Sequence, residues 1–164
     1  MSTGRFLVRV LAIAVVMFIL GYIGHQLLLG RDYAAIEPIM RSKPDMMAHM
    51  PFAFVNALCF STAFVWLYSQ GRSARSWMGQ GIRYGFAIWA VAMVPLYLTN
   101  YTIEPWPGIF VAKILAWELV AVTAMGILIA AMARNDGSEK EPATFTIWRH
   151  RGGEPEHNDR KAVN

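Results

Sequence analysis

Apolar positions in this chain do not recur with the period of a surface helix or strand; they are gathered into four blocks. The blocks run from about Phe6 to Leu29, Met46 to Tyr68, Ile82 to Ile103 and Ile109 to Met132. A run of about 20 apolar residues matches the ~30 Å hydrocarbon core of a bilayer. Inside hydrocarbon every backbone N–H and C=O must be satisfied within the protein, so continuous blocks of this length are expected to be helices. The pattern predicts an all-α fold, an integral membrane four-helix bundle with helices at 6–29, 46–68, 82–103 and 109–132. It makes one transmembrane domain over 1–133, followed by a polar, flexible tail over 134–164.

Composition agrees with that solvent. Of 164 residues, 55% are hydrophobic and only 16% charged, where a soluble domain carries about 25% charged residues. A cleaved signal peptide is the competing reading of the first block, because Arg5 and Arg9 precede an apolar stretch. That stretch continues to Leu29, beyond the core of a signal, and its A-x-A triplet, Ala12 to Ala14, comes too early to be a cleavage site. A retained helix is expected. The tail is rich in both charge signs and broken by Gly and Pro, too polar to offset the entropy of ordering itself. Its FTIW island reads as a chance apolar cluster and its RHR as part of a solvated tail, so nucleic acid is not an expected partner. Cys59 is the single cysteine and reads as a small packing residue.

Charge sets the expected orientation. Arg5 and Arg9 precede the first block, Arg72, Arg75 and Arg83 lie between the second and third, and Arg134, Lys140, Arg149, Arg151, Arg160 and Lys161 follow the fourth. The connection between blocks three and four has no Lys or Arg. The first connection dissents with Arg31, Arg41 and Lys43, but offsets them with Asp32, Glu37 and Asp45. The positive-inside bias therefore predicts both termini in the cytoplasm. Trp66 and Tyr68 at one level, and Tyr97, Tyr101 and Trp106 at the other, suit the two headgroup layers. The EPWPG turn, Glu104 to Gly108, forbids helix continuation and makes the third and fourth helices antiparallel neighbours. Pro95 predicts a kink inside the third helix, and Pro51 fits the first turn of the second. Gly81 and Gly85 allow close helix approach.

Chemistry enters with the polar groups inside the apolar blocks. At 1.5 Å per residue, Lys113 lies about 6 Å below the outer end of the fourth helix, where its stem reaches the interface. Glu118 lies about 13 Å in, and a carboxylate has no long stem by which to escape. Roughly 140° separates the two around the helix, so Lys113 has Trp117 one turn below it, within cation–π reach, and Glu118 must look to another helix. Asn56 sits at nearly the level of Glu118, and an interhelical bond between them would contribute about 0.6–2 kcal/mol. Nearer the outside, His25, His49, Asn100 and Lys113 form a second level.

Two readings follow. In one, these groups bond to one another and set helix pairing; in the other, they line an outward-facing cavity for a proton, cation or small polar ligand with Glu118 as its floor. On the fourth helix, Ala112, Ala116, Thr123, Gly126 and Ala130 form a small-residue stripe about 120° from Glu118. If that stripe is the main packing face, Glu118 faces a second neighbour or a dimer partner. Separately, Met46, Met47, His49 and Met50 offer the thioethers and imidazole that suit Cu(I), against the plainer reading of interfacial methionines. No HExxH, CxxC, Walker A, GxGxxG or nucleophile elbow is present, so no enzymatic activity and no cofactor is expected.

The stretches FVWLYSQGRSARSWMGQGIRYGFAIW and VPLYLTNYTIEPWPGIFVAKILAWE resemble a family of small four-helix proteobacterial inner-membrane proteins with no assigned activity. The residues that carry the likeness are His49, Met50 and Pro51; Trp77, Gly79, Gln80, Gly81, Arg83 and Gly85; and Glu104 to Gly108 with Lys113. The resemblance covers about Phe6 to Ala133 and implies a multi-pass protein of a bacterial cytoplasmic membrane. The function expected is that of a small accessory or structural membrane protein, with the bilayer, a membrane protein partner or a second copy as its partners. The alternative is a dimeric proton- or cation-linked transporter, or a ligand-binding protein, working through Glu118.

Overall fold

A computed structural model describes residues 2–71 and 76–134, and all regular structure among them is helical. In chain order these are α1 (Thr3–Leu28), α2 (Gly30–Ala34), a 3₁₀ turn (Glu37–Ile39), α3 (Lys43–Ala48), α4 (Met50–Gln70), α5 (Trp77–Ile103) and α6 (Gly108–Ala133). Helices α1, α4, α5 and α6 are long and apolar enough to cross a membrane. Arg72, Arg75 and the tail beyond Arg134, on which part of the expected orientation and the expected flexible segment rest, lie outside the described residues.

Helix boundaries differ from expectation where proline and capping chemistry intervene. The second apolar block was expected from Met46, yet α4 begins at Met50. The short α3, whose Ser42 side chain accepts from the Asp45 N–H, ends at Ala48, and Pro51 in the first turn of α4 has no N–H with which to continue α3. In α5 the helix starts at Trp77, ahead of Ile82. Where a kink was expected at Pro95, a π turn, Trp89–Met93, lies just ahead of the proline. A second π turn, Tyr22–Leu28, ends α1, contains no proline and carries His25.

Glycines decide which helices meet most closely. A Cβ at Gly85 would stand 2.5 Å from Thr123 Cα, and one at Gly81 would stand 2.8 Å from Ile127 Cα. Helices α5 and α6 thus touch backbone to backbone, with Gly126 in the same seam. Helix α1 packs against both α4 and α6. The main core lies among Ile13, Phe64, Val65, Val122, Met125 and Ile129.

The end of the molecule that holds both helix termini, Thr3 and Ala133, is tied by polar contacts. Arg9 is 6% exposed and its Nη2 donates to the Met132 carbonyl at 2.8 Å, one of the carbonyls a helix C-terminus leaves unpaired. The Tyr84 hydroxyl donates to the Phe64 carbonyl, which joins α5 to α4, and the Arg134 guanidinium lies 5.9 Å from the centre of the Trp77 ring. A second, smaller core of Leu29, Ile36, Phe110 and Ile114 sits at the opposite end, with Tyr33, Tyr97 and Trp106 packed against it.

Candidate functional site

Glu118 projects from the middle of α6, with its side chain 14% exposed. The small residues Thr123, Gly126 and Ala130 of the same helix are taken up by α5, and Glu118 points to a second neighbour, α1. There His25 Nε2 stands 3.3 Å from Glu118 Oε1. The Tyr97 hydroxyl of α5 donates to the same oxygen at 3.2 Å. His25 Nδ1 is hydrogen-bonded to the Tyr33 hydroxyl at 2.7 Å, which brings α2 into the network. Helices α1 and α5 therefore meet the carboxyl group of α6 directly, and α2 joins them through His25.

The local chain explains how His25 reaches it. The π turn re-aims the side chains at the end of α1, and Gly24 lets the Trp117 indole lie directly on the α1 backbone, because a Cβ at Gly24 would collide with that ring. On α5, Trp89 Nε1 donates to the Leu115 carbonyl at 2.9 Å, one turn from Glu118, from within the other π turn. Both widened turns thus serve this level of the molecule.

A ring layer lies over the pair on the side of the short helices. Tyr33 meets Phe110 edge-on at 5.0 Å, Phe110 meets Trp106 at 5.3 Å, and Trp106 meets Tyr97 at 6.4 Å. Tyr33, which lies on α2 beyond the membrane-length helix, has its phenol pushed up to about 12, first by burial and then by the charge of Glu118.

On its other side Glu118 opens into a cavity of about 730 Å³ lined by α1, α4, α5 and α6. This is within the range that holds a drug-sized molecule. His25, Gln26, Asn56 and Glu118 are polar members of its wall, and Met17, Phe18, Phe60, Leu96 and Trp117 are among the apolar ones. Ala53 of α4 and Leu96 of α5 are also in the wall, and Tyr84 joins those two helices through the Phe64 carbonyl.

The residues singled out by depth divide into two groups. His25, Asn56 and Glu118 share the cavity, but the bond to Glu118 comes from Tyr97 rather than from Asn56, whose amide makes no side-chain hydrogen bond among the described residues. Lys113 does not reach Trp117; its Nζ meets Asp32 Oδ1 at 2.7 Å. His49 Nδ1 donates to the Asp45 carbonyl, 2.8 Å away, and lies 3.2 Å from the Asp45 carboxylate, on the surface. Asn100 is partly buried one turn beyond Tyr97 and does not line the cavity. Met46 and Met47 are exposed, while Met50 lines the cavity. No group of three or more His, Cys, Asp or Glu residues is arranged to hold a metal ion among the described residues.

Tyr97 and Tyr33 were missed in sequence. Tyr97 read as a headgroup anchor, although counting back from the EPWPG turn sets it near the depth of Glu118. Tyr33 had no signal, because a short loop helix folding back over a membrane-length helix leaves no periodic trace. No family model, curated protein or solved structure matches the chain.

Proposed function

We propose that this chain is a non-enzymatic, multi-pass protein of a bacterial inner membrane, a four-helix bundle with both termini in the cytoplasm, that holds a small ligand beside Glu118. The length and apolarity of four helices, the distribution of Lys and Arg, and the family resemblance support the setting. The observation that carries the ligand reading is the cavity of about 730 Å³ with Glu118, His25 and Asn56 in one wall system. An ionisable group at membrane depth is costly to keep there unless it serves a site or a pairing.

A structural or accessory role is the second reading, favoured by Glu118 tying α1, α5 and α6 together through His25 and Tyr97. Native mass spectrometry of protein released gently from its membrane separates the two. A small molecule held one-to-one by the wild type and absent from Ala53→Trp, which fills the cavity from α4, supports the ligand reading. A stoichiometric second protein, retained by wild type and Ala53→Trp alike with no small molecule, transfers support to the accessory role.

A further inference from the structure

Glu118 lines the cavity and has one carboxylate oxygen engaged by the protein. Tyr97 and His25 both address Oε1, and no described residue bonds Oε2. The Glu118 side chain keeps 14% of its surface exposed, and Oε2 is not fully buried. Of the described residues lining the cavity, none is lysine or arginine. Lys113 is held by Asp32 outside that lining.

Ligand charge can be weighed against this wall. An anionic head, such as a phosphate or a fatty carboxylate, would bring like charge to Glu118 with no lysine or arginine in the lining to receive it. A wholly apolar occupant would exclude water from Oε2 and leave an acceptor unpaired in a low dielectric. A positive centre satisfies Oε2 and gains from the weak screening of a partly buried site. The remaining walls suit the same occupant: Phe18, Phe60 and Trp117 are aromatic residues, a class that attracts cations, and the thioethers of Met17 and Met125 adapt to varied apolar shapes.

We propose that the cavity is a binding site for a lipophilic monocation, with its positive centre at Glu118 Oε2 and its apolar groups among Phe18, Phe60 and Trp117. This deepens the ligand-binding reading above and rests on it. Such a molecule partitions into the bilayer, and α4 and α5 both contribute to the cavity wall, through Ala53 and Leu96 among others.

The test uses tetraphenylphosphonium and its neutral relative triphenylphosphine oxide, titrated calorimetrically into the full-length protein in zwitterionic nanodiscs. The wild type is expected to bind the cation at least about tenfold more tightly than the neutral molecule. Glu118→Gln should lose that preference while still binding the neutral molecule, and Ala53→Trp should bind neither. Equal affinity for the two probes in wild type, tighter binding of tetraphenylborate, or a cation preference that survives in Glu118→Gln would overturn the cation assignment and leave the cavity reading standing. Failure of the wild type to bind any of the probes, or binding undiminished in Ala53→Trp, would overturn both. The wild-type comparison of cation, neutral molecule and anion decides the charge question even where Glu118→Gln does not fold.

Discussion

His25 and Glu118 meet between α1 and α6, Nε2 to Oε1 at 3.3 Å, while the other nitrogen of the same imidazole is hydrogen-bonded to Tyr33 at 2.7 Å. One side chain thereby links a carboxyl group in the middle of α6 to the short helix α2. The contact depends on the widened turn at the end of α1, which replaces the ordinary ladder over Tyr22–Leu28. Widened turns recur at functional sites because they re-aim a side chain at little cost in backbone bonds.

The pair should be energetically coupled. In a double-mutant cycle of His25→Ala and Glu118→Ala, unfolding in micelles is expected to give a coupling energy of about 0.6–2 kcal/mol, the range of interhelical polar contacts in membrane proteins. Strictly additive effects would mean that the contact contributes nothing to helix pairing. Tyr97→Phe removes one hydrogen bond to the same oxygen and should show its own coupling to Glu118.

The α5–α6 seam should be the least tolerant of added volume. A Cβ at Gly85 meets the backbone of Thr123, which cannot rotate away, so Gly85→Ala is expected to destabilise by about 1–3 kcal/mol. Gly21 also lies in a helix, but nothing lies within 4 Å of a Cβ there. Gly21→Ala should therefore stabilise by up to about 1 kcal/mol through helix propensity. Thermal unfolding of both variants checks the contrast, and equal effects would deny the close seam.

Alkaline pH gives a signature of Tyr33. Its folded-state phenol holds its proton up to about 12, against an ordinary value of 10.0, so the unfolded chain loses the proton first. The stability this group contributes is fully present below about pH 10 and is lost as pH rises from there through about 12. Absorbance titration of tyrosinate should show a late-ionising component that disappears in Tyr33→Phe. Glu118→Gln should move that component to lower pH, because the carboxylate charge is the second cause of the shift after burial. An unmoved component in Glu118→Gln would assign the whole shift to burial.

Membrane orientation is checked with reporters. Alkaline phosphatase fused within the connection between α1 and α4, near Met40, should be active, and a fluorescent protein fused after the C-terminus should fluoresce, as the Lys and Arg distribution requires. The reverse pattern would invert the orientation and with it the side of the membrane nearer to Glu118.

The membrane-length helices were legible because the hydrocarbon thickness imposes a run length that a chain cannot disguise. Their close pairing was half legible: Gly81 and Gly85 allowed a close approach and the stripe through Thr123, Gly126 and Ala130 was a possible packing face, but only the structure joined the two. Depth counting put Asn56 near Glu118, and both do line one cavity. It did not name the partners of Lys113 and His49, because a long or surface side chain takes whichever acid its loop supplies, here Asp32 and Asp45.

By itself the sequence determined how many helices are long and apolar enough to span a bilayer, roughly where they begin and end, and at what depth an acid is carried, since these follow from hydropathy and rise per residue. Only the tertiary structure decided that Glu118 turns to His25 and Tyr97, that Tyr33 folds back to complete the network, and that a cavity is left beside Glu118. Depth is a one-dimensional property of a helix. Facing depends on rotation about each helix axis, and that rotation is set jointly by the glycine seam, the two π turns and the returning loop.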